Sequence, residues 1–256
     1  MTLKIVKPEQ QAYLKMLVFA PHKHGKTTLV ASAQEDPRTS PSLLLDFEGN
    51  TECLVGLDID IAPIREWRDF TEAYAFLANS DHKYKSVSID SITEVNFYAL
   101  STEILRQGTS GKGREDGPLG PDQAQMQDFG RVLTQMRRLL RMFRNLPMHV
   151  MYTALDDTEL EPGEGSVKIP AMIGQMKREV GALVSVVGYL SMQGEVGQAK
   201  KRVLLLHDIP RFRIGVRTEW RKWNSIPDTL EDPTITKLLD VCFPRPRVVA
   251  KEEAAS

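Results

Sequence analysis

The chain has 256 residues, 41% of them apolar, with 33 lysines and arginines against 34 aspartates and glutamates. That is enough apolar content for a sizeable core, and the charge balance excludes a generally basic nucleic-acid coat. Cys53 and Cys242 are the only cysteines, which excludes a disulfide framework and a cysteine-built zinc centre, and both read as small buried apolar residues. No apolar run reaches the roughly 18 residues of a membrane span and no signal-peptide pattern opens the chain, so the expectation is a cytoplasmic protein with no membrane partner.

Tyr13 to Ala20 is the first apolar run, followed by a turn of small and basic residues and then by Thr27 to Ala33, which reads as a helix. Leu43, Leu44 and Leu45 form a second buried strand ending in Asp46-Phe47-Glu48-Gly49, and Ile59 to Ile64 a third. Phe70, Ala73, Tyr74 and Leu77 recur at helical spacing, which predicts a helix over Trp67 to Asn79 with one face on the core. Tyr84 to Ile89 is the next strand, with Asp90 at its end. Ser91 to Gln107 reads as helical, and Gly108 to Pro121, with five glycines and two prolines, as a flexible loop.

The helical period returns from Asp122 to Arg144, with Phe129, Val132, Leu133, Met136, Leu140 and Phe143 on one side and Arg131, Arg138 and Arg141 on the other. Pro147 closes it, and Met148 to Thr153 is a strand. The polar stretch around Pro162-Gly163-Glu164-Gly165 reads as a turn or mobile loop. Further strands are predicted at Ala182 to Leu190, Arg202 to His207 and Phe212 to Val216. Residues 1–243 form one expected domain, and 244–256, rich in Pro, Ala and charge, a disordered tail. Apolar strands alternating with helices imply an α/β fold with a mostly parallel central sheet covered on both faces, turning antiparallel toward the C-terminus.

Chemistry concentrates in Phe19-Ala20-Pro21-His22-Lys23-His24-Gly25-Lys26-Thr27-Thr28. A phosphate-cradling loop reads G-x-x-x-x-G-K-[ST] between strand and helix, because main-chain N–H groups converge there on the anion. Gly25-Lys26-Thr27 fits, while Ala20 replaces the first glycine. A positive φ at Ala20 would cost about 1–2 kcal/mol; as the end of a strand it costs little, and that is the expectation. Lys26 would reach the β- and γ-phosphates and Thr27 a Mg²⁺ ion, shared with Asp90 at the end of the Walker B-like strand Val87-Ser88-Ile89-Asp90. Asp90 could also cap the following helix. His22 and His24 make an incomplete metal site and are expected to face phosphate or solvent. No Asn-Lys-x-Asp guanine motif is present; ATP is the expected nucleotide, though the motifs alone leave GTP open.

The order of these segments, with Asp46-Phe47-Glu48 after the second strand, Ile89-Asp90-Ser91 at the fourth, then the glycine-rich loop, the long basic helix and the strand Met148 to Thr153, resembles RecA-like ATPases. The resemblance is greatest to the phage-encoded RecA-core ATPases that assist single-strand annealing recombination, and it spans Leu17 to Pro227. It implies a RecA-like P-loop core in which Glu48 activates the attacking water, Thr153 senses the γ-phosphate and Arg217 belongs to a basic-x-basic pair acting on a neighbouring subunit's nucleotide. Here the second position of that pair is Glu219, with Arg221 beyond it.

The resemblance also implies DNA-facing loops at Gly108 to Pro121 and Asp156 to Ile169. The second holds Asp156, Asp157, Glu159, Glu161 and Glu164 against Lys168, a balance that repels phosphates. In the first, Lys112 and Arg114 are offset by Glu115 and Asp116. Better cation sources are Arg131, Arg138 and Arg141, and the cluster Lys200, Lys201, Arg202, Arg211 and Arg213; solvated faces and charge-blunted strand edges account for them equally well. The implied activity is slow Mg-ATP hydrolysis by a homo-oligomer on single-stranded DNA, with an annealing or single-strand binding protein as partner. The acidic segment favours the alternative of a nucleotide switch that binds a protein and no DNA. A kinase reading lacks a basic lid or an acceptor motif.

Overall fold

Ten strands build one twisted sheet in a computed structural model that describes residues 13–96, 126–163, 165–194, 199–207, 209–217 and 226–242, with side chains of 126–128 left aside. In chain order the strands are β1 (Lys15–Ala20), β2 (Ser42–Asp46), β3 (Asp60–Pro63), β4 (Ser86–Asp90), β5 (His149–Glu161), β6 (Gly165–Pro170), β7 (Val186–Gln193), β8 (Lys201–Leu205), β9 (Gly215–Val216) and β10 (Thr229–Glu231). The helices are α1 (Lys26–Ala31), α2 (Trp67–Asn79), α3 (Met126–Arg144), α4 (Met176–Glu179) and α5 (Ile235–Cys242). The glycine-rich loop with Lys112 and Arg114, the positions Glu219 and Arg221, and the expected tail all lie outside the described residues.

The strand order is β10-β8-β7-β1-β5-β4-β2-β3. From β7 to β3 every neighbouring pair is parallel, while β8, β9 and β10 join antiparallel. The mostly parallel sheet with an antiparallel edge is therefore as the sequence implied. β5 lies between β1 and β4, so the phosphate-loop strand and the Asp90 strand are one strand apart, and their C-terminal ends face the same side.

Alternation along β1 divides the core. Leu17 and Phe19 point to a layer containing Phe70 and Leu77 of α2 and Met136, Leu140 and Phe143 of α3. Met16, Val18 and Ala20 point the other way, to Leu29 and Val30 of α1 and Leu238 and Leu239 of α5. Strands apolar on both sides fit a sheet covered on both faces. Phe70 stacks on Phe143 with centroids 4.8 Å apart, locking α2 to α3, and a capping box between Glu66 and Asp69 fixes where α2 starts.

Several sequence expectations need correction. The stretch around Pro162 does turn, at Pro162-Gly163, but it is the tip of an ordered antiparallel ribbon rather than a mobile loop, β5 continuing to Glu161 and pairing with β6. Its alternation, with Val167 and Ile169 buried, gives the ribbon a core face that turn residues alone do not reveal. Three of its carboxylates are paired: Asp156 with Lys168 at 2.7 Å, Glu159 with Lys177 and Arg178 at 3.1 Å, and Glu161 with Arg213. Cys53 is exposed rather than buried, and Cys242 is half-buried with its thiol pushed up to about 12 by burial. Phe129 is 38% exposed, because it precedes the part of α3 that meets α2. Residues 182–185 precede β7 rather than belonging to it, and β10 and α5 had no periodic signal long enough to read.

Candidate functional site

β1 ends at Ala20, and the chain turns through Pro21 to His24 before α1 begins. Ala20 is a strand residue, so the alanine in place of glycine carries no left-handed penalty. That demand falls on Gly25, whose φ of 84° at the head of α1 suits glycine. Lys23 also sits at positive φ, 61°. His22 and Lys23 are exposed, and His24 is tied to the turn through its Nδ1 and the His22 carbonyl at 2.9 Å. Thr28 is exposed at the start of the helix.

Lys26 is only 7% exposed. Its ammonium donates to the carbonyls of Ala20 and Pro21 at 3.1 and 3.0 Å, which holds it across the loop. Burial lowers its pKa, and Glu48, Asp90 and Asp156 act against that fall. The cation therefore faces three carboxylates from three different strands or strand ends.

Asp90 is buried at the end of β4, level in register with Asp46 on β2. The Thr27 hydroxyl donates to its Oδ2 at 2.6 Å, and the Thr153 hydroxyl donates to its Oδ1. Its carboxylate is thus used across the sheet and does not cap the helical residues 92–96, where the Glu94 amide donates to Ser91 Oγ at 3.5 Å. Burial raises the Asp90 pKa, the two threonine hydrogen bonds lower it, and Glu48 raises it further. Glu94 is likewise raised, first by burial and then by Glu48.

Glu48 is positioned through its neighbours. Asp46 Oδ1 accepts from the Glu48 and Gly49 amides at 3.1 and 2.8 Å, while the Phe47 amide donates to the Asp90 carbonyl at 2.8 Å. With the Phe47 ring against Phe70, the half-exposed Glu48 carboxylate is presented beside Asp90 and Lys26. In the sequence Asp46 stands out only as part of Asp46-Phe47-Glu48, with no role of its own, and Glu94 does not stand out at all. The register of Asp46 with Asp90 was the signal for the first; nothing local marks the second.

Mg²⁺ takes few protein ligands and completes its shell with water and phosphate oxygens. The Thr27 hydroxyl beside the Asp90 carboxylate is a donor pair of that kind, and the carboxylate excess around Asp90 suits a cation. Among the described residues no group of three or more His, Cys, Asp or Glu side chains could hold a metal alone, so His22 and His24 form no separate centre.

Arg217 lies at the opposite end of the sheet. Its amide donates to the Ser185 carbonyl and the Ser185 amide to the Lys15 carbonyl, at the start of β1. Its exposed side chain cannot serve this chain's own loop. Arg131, Arg138 and Arg141 are exposed along α3, away from the loop.

A strand, a Gly-Lys-Thr loop closing on a helix, and an aspartate from a strand one place removed define a P-loop nucleotide-binding protein with a mostly parallel α/β sheet. The chain belongs to the AAA domain family, whose model matches residues 12–217. No curated protein sequence matches it. Among solved structures it is similar to the RadB recombinase, with 15% identity and a TM-score of 0.42 over 76% of this chain and 80% of that one. It is also similar to the flagellar accessory protein FlaH from Methanocaldococcus jannaschii, with 11% identity and a TM-score of 0.38 over 76% and 77% of the two chains. Among the described residues no helix is long and apolar enough to cross a membrane.

Proposed function

We propose that this protein binds ATP with Mg²⁺ and hydrolyses it slowly, acting as a homo-oligomer on single-stranded DNA in phage recombination or repair beside an annealing or single-strand binding protein. The observation that carries the nucleotide part is the convergence of Lys26, Thr27, Asp90, Thr153 and Glu48 at one end of the sheet. Lys26 offers its ammonium to the β- and γ-phosphates, and the loop amides beside Gly25 take the remaining oxygens. Thr27 and Asp90 hold the metal, which when bound neutralises charge developing on the phosphates. Glu48 orients a water and accepts its proton. Thr153, hydrogen-bonded to Asp90, ties metal occupancy to the strand that continues into the β5–β6 ribbon.

The DNA part is supported by the order of motifs in the sequence and by the exposed arginines Arg138 and Arg141 on α3. The ribbon's carboxylates are largely paired with cations, which weakens the electrostatic objection to DNA near it. Arg217, remote from its own loop, is available to a neighbouring chain, where it would face that chain's γ-phosphate. The test is the ATPase rate with and without single-stranded DNA over a salt series. Stimulation that fades as salt rises supports the recombination reading, since phosphate-driven binding falls steeply with salt. Turnover indifferent to DNA replaces it with the nucleotide switch acting on a protein partner.

A further inference from the structure

β7 runs parallel to β1, with Phe19 level with Tyr189, and extends past it to Gln193. Its antiparallel partner β8 therefore begins at the phosphate-loop end of the sheet, where Arg202 pairs with Met192. Val203 and Leu205 lie in the core layer of α2 and α3, and Leu204 in the layer of α1 and α5. Alternation sends Arg202 to the α1 side. There it reaches the loop: a Cβ placed on Gly25 would stand 3.2 Å from both Cδ and Nη1 of Arg202.

Two of the four other cations grouped with Arg202 in the sequence are engaged elsewhere, Arg213 with Glu161 and Lys201 with Glu231 at 3.5 Å. The Arg202 main chain is fixed, since its carbonyl accepts from the Asp232 amide at 2.8 Å. Its guanidinium, half-buried against the loop, has no hydrogen-bond or ion-pair partner among the described residues. A planar group with five donors, held against a glycine that phosphate must approach closely, matches an oxyanion.

We propose that Arg202 binds the phosphate chain of the nucleotide held by the same chain's loop, as a second cation opposite Lys26. The assignment rests on the reading that this loop holds a nucleoside triphosphate. It also removes Arg202 from any surface that tracks DNA. Binding of ATP and ADP with Mg²⁺ is to be measured by calorimetry for the wild type, Arg202→Ala, Arg202→Lys and Lys26→Ala, each also melted without nucleotide. Arg202→Ala is expected to weaken ATP binding about 10- to 100-fold, the range for losing a hydrogen bond to a charged group, with its nucleotide-free melting temperature unchanged. Arg202→Lys is expected to fall between the two, keeping the charge and losing the fork. Wild-type ATP affinity in Arg202→Ala overturns the assignment, as does a loss equalled in Arg202→Lys and matched by a lowered nucleotide-free melting temperature in both. If the wild type and Lys26→Ala bind ATP equally poorly, the nucleotide reading itself fails; if only Lys26→Ala loses binding, that reading stands and the role of Arg202 alone is refuted.

Discussion

Two lysines are buried at opposite ends of the same strand and loop, and their surroundings differ in one respect that separates structure from function. Lys15, at the start of β1, donates to the carbonyls of Leu146 and Met148 at 2.7 and 2.6 Å. Lys26, past its end, donates to the carbonyls of Ala20 and Pro21. Burial lowers the pKa of both, but the neighbouring charge acting on Lys15 is another cation, Arg144, and it is pushed to about 8. Around Lys26 stand Glu48, Asp90 and Asp156, which favour its charged form. The first lysine is a tether between β1 and the segment after α3; the second is kept as a cation where carboxylates and loop amides meet. An end of a sheet that gathers opposite charges without closing them into simple pairs is organised for a ligand.

The largest expected effect falls at the loop end. Glu48→Gln keeps the shape of the side chain and removes its basicity, so ATP binding should persist while turnover falls by about 10²- to 10⁴-fold, the span of general-base contributions. Stability should hardly move, since Glu48 is half-exposed and its backbone is fixed by Asp46. Steady-state hydrolysis beside nucleotide affinity checks this; normal turnover would remove Glu48 from the role and leave Glu94, raised by burial in the same cluster, to be tried next.

At the opposite end the effect is on stability, and it depends on pH. The His149 Nδ1 accepts from the Leu14 amide at 3.0 Å, and burial, followed by Lys15, lowers its pKa to about 4. Between pH 6.5 and 4 the unfolded chain binds the proton and the folded chain does not, so stability falls as pH falls through that window. The loss should be on the order of 3 kcal/mol. Lys15, lowered to about 8, has the same sign in another window: from pH 8 to 10.5 the unfolded chain stays protonated while the folded one releases its proton, so stability rises. Denaturant unfolding of the wild type against His149→Gln tests the acid window. Parallel pH curves for the two proteins would show that His149 contributes nothing to acid lability.

The contrast also explains what could be read from the sequence. The strand, loop and helix around Gly25-Lys26-Thr27 and the strand ending at Asp90 were legible because each is a local pattern, apolar runs bounded by turn chemistry. Trp67 to Asn79 was legible to the residue because its apolar stripe is uninterrupted. What escaped was set by distant partners. The β5–β6 ribbon looks polar and turn-rich until Val167 and Ile169 find the core and Lys177, Arg178 and Arg213 find its carboxylates. Asp46 depends on strand register, and Arg202 on an extension of β7 that no motif encodes.

The smallest expected effect reverses the usual sign of a mutation and returns to the lysine comparison. Asp90 is buried, its pKa raised by burial and by Glu48, and only the two threonine hydroxyls and Lys26 offset this. A carboxyl whose folded pKa lies above its unfolded value loses stability as pH rises from the unfolded pKa through the folded one. Asp90→Asn removes that penalty and keeps the side-chain shape; its amide oxygen still accepts from one threonine hydroxyl, while the other must turn to accept from the amide nitrogen. The nucleotide-free variant should therefore melt higher than the wild type at pH 7. The same change should abolish the further rise that Mg²⁺ with ATP gives the wild type, because the ligand that binds only the folded state no longer does so. Function at this end is thus held at the expense of stability, the reverse of Lys15, and a variant that melts lower than the wild type without nucleotide would show that Asp90 is structural after all.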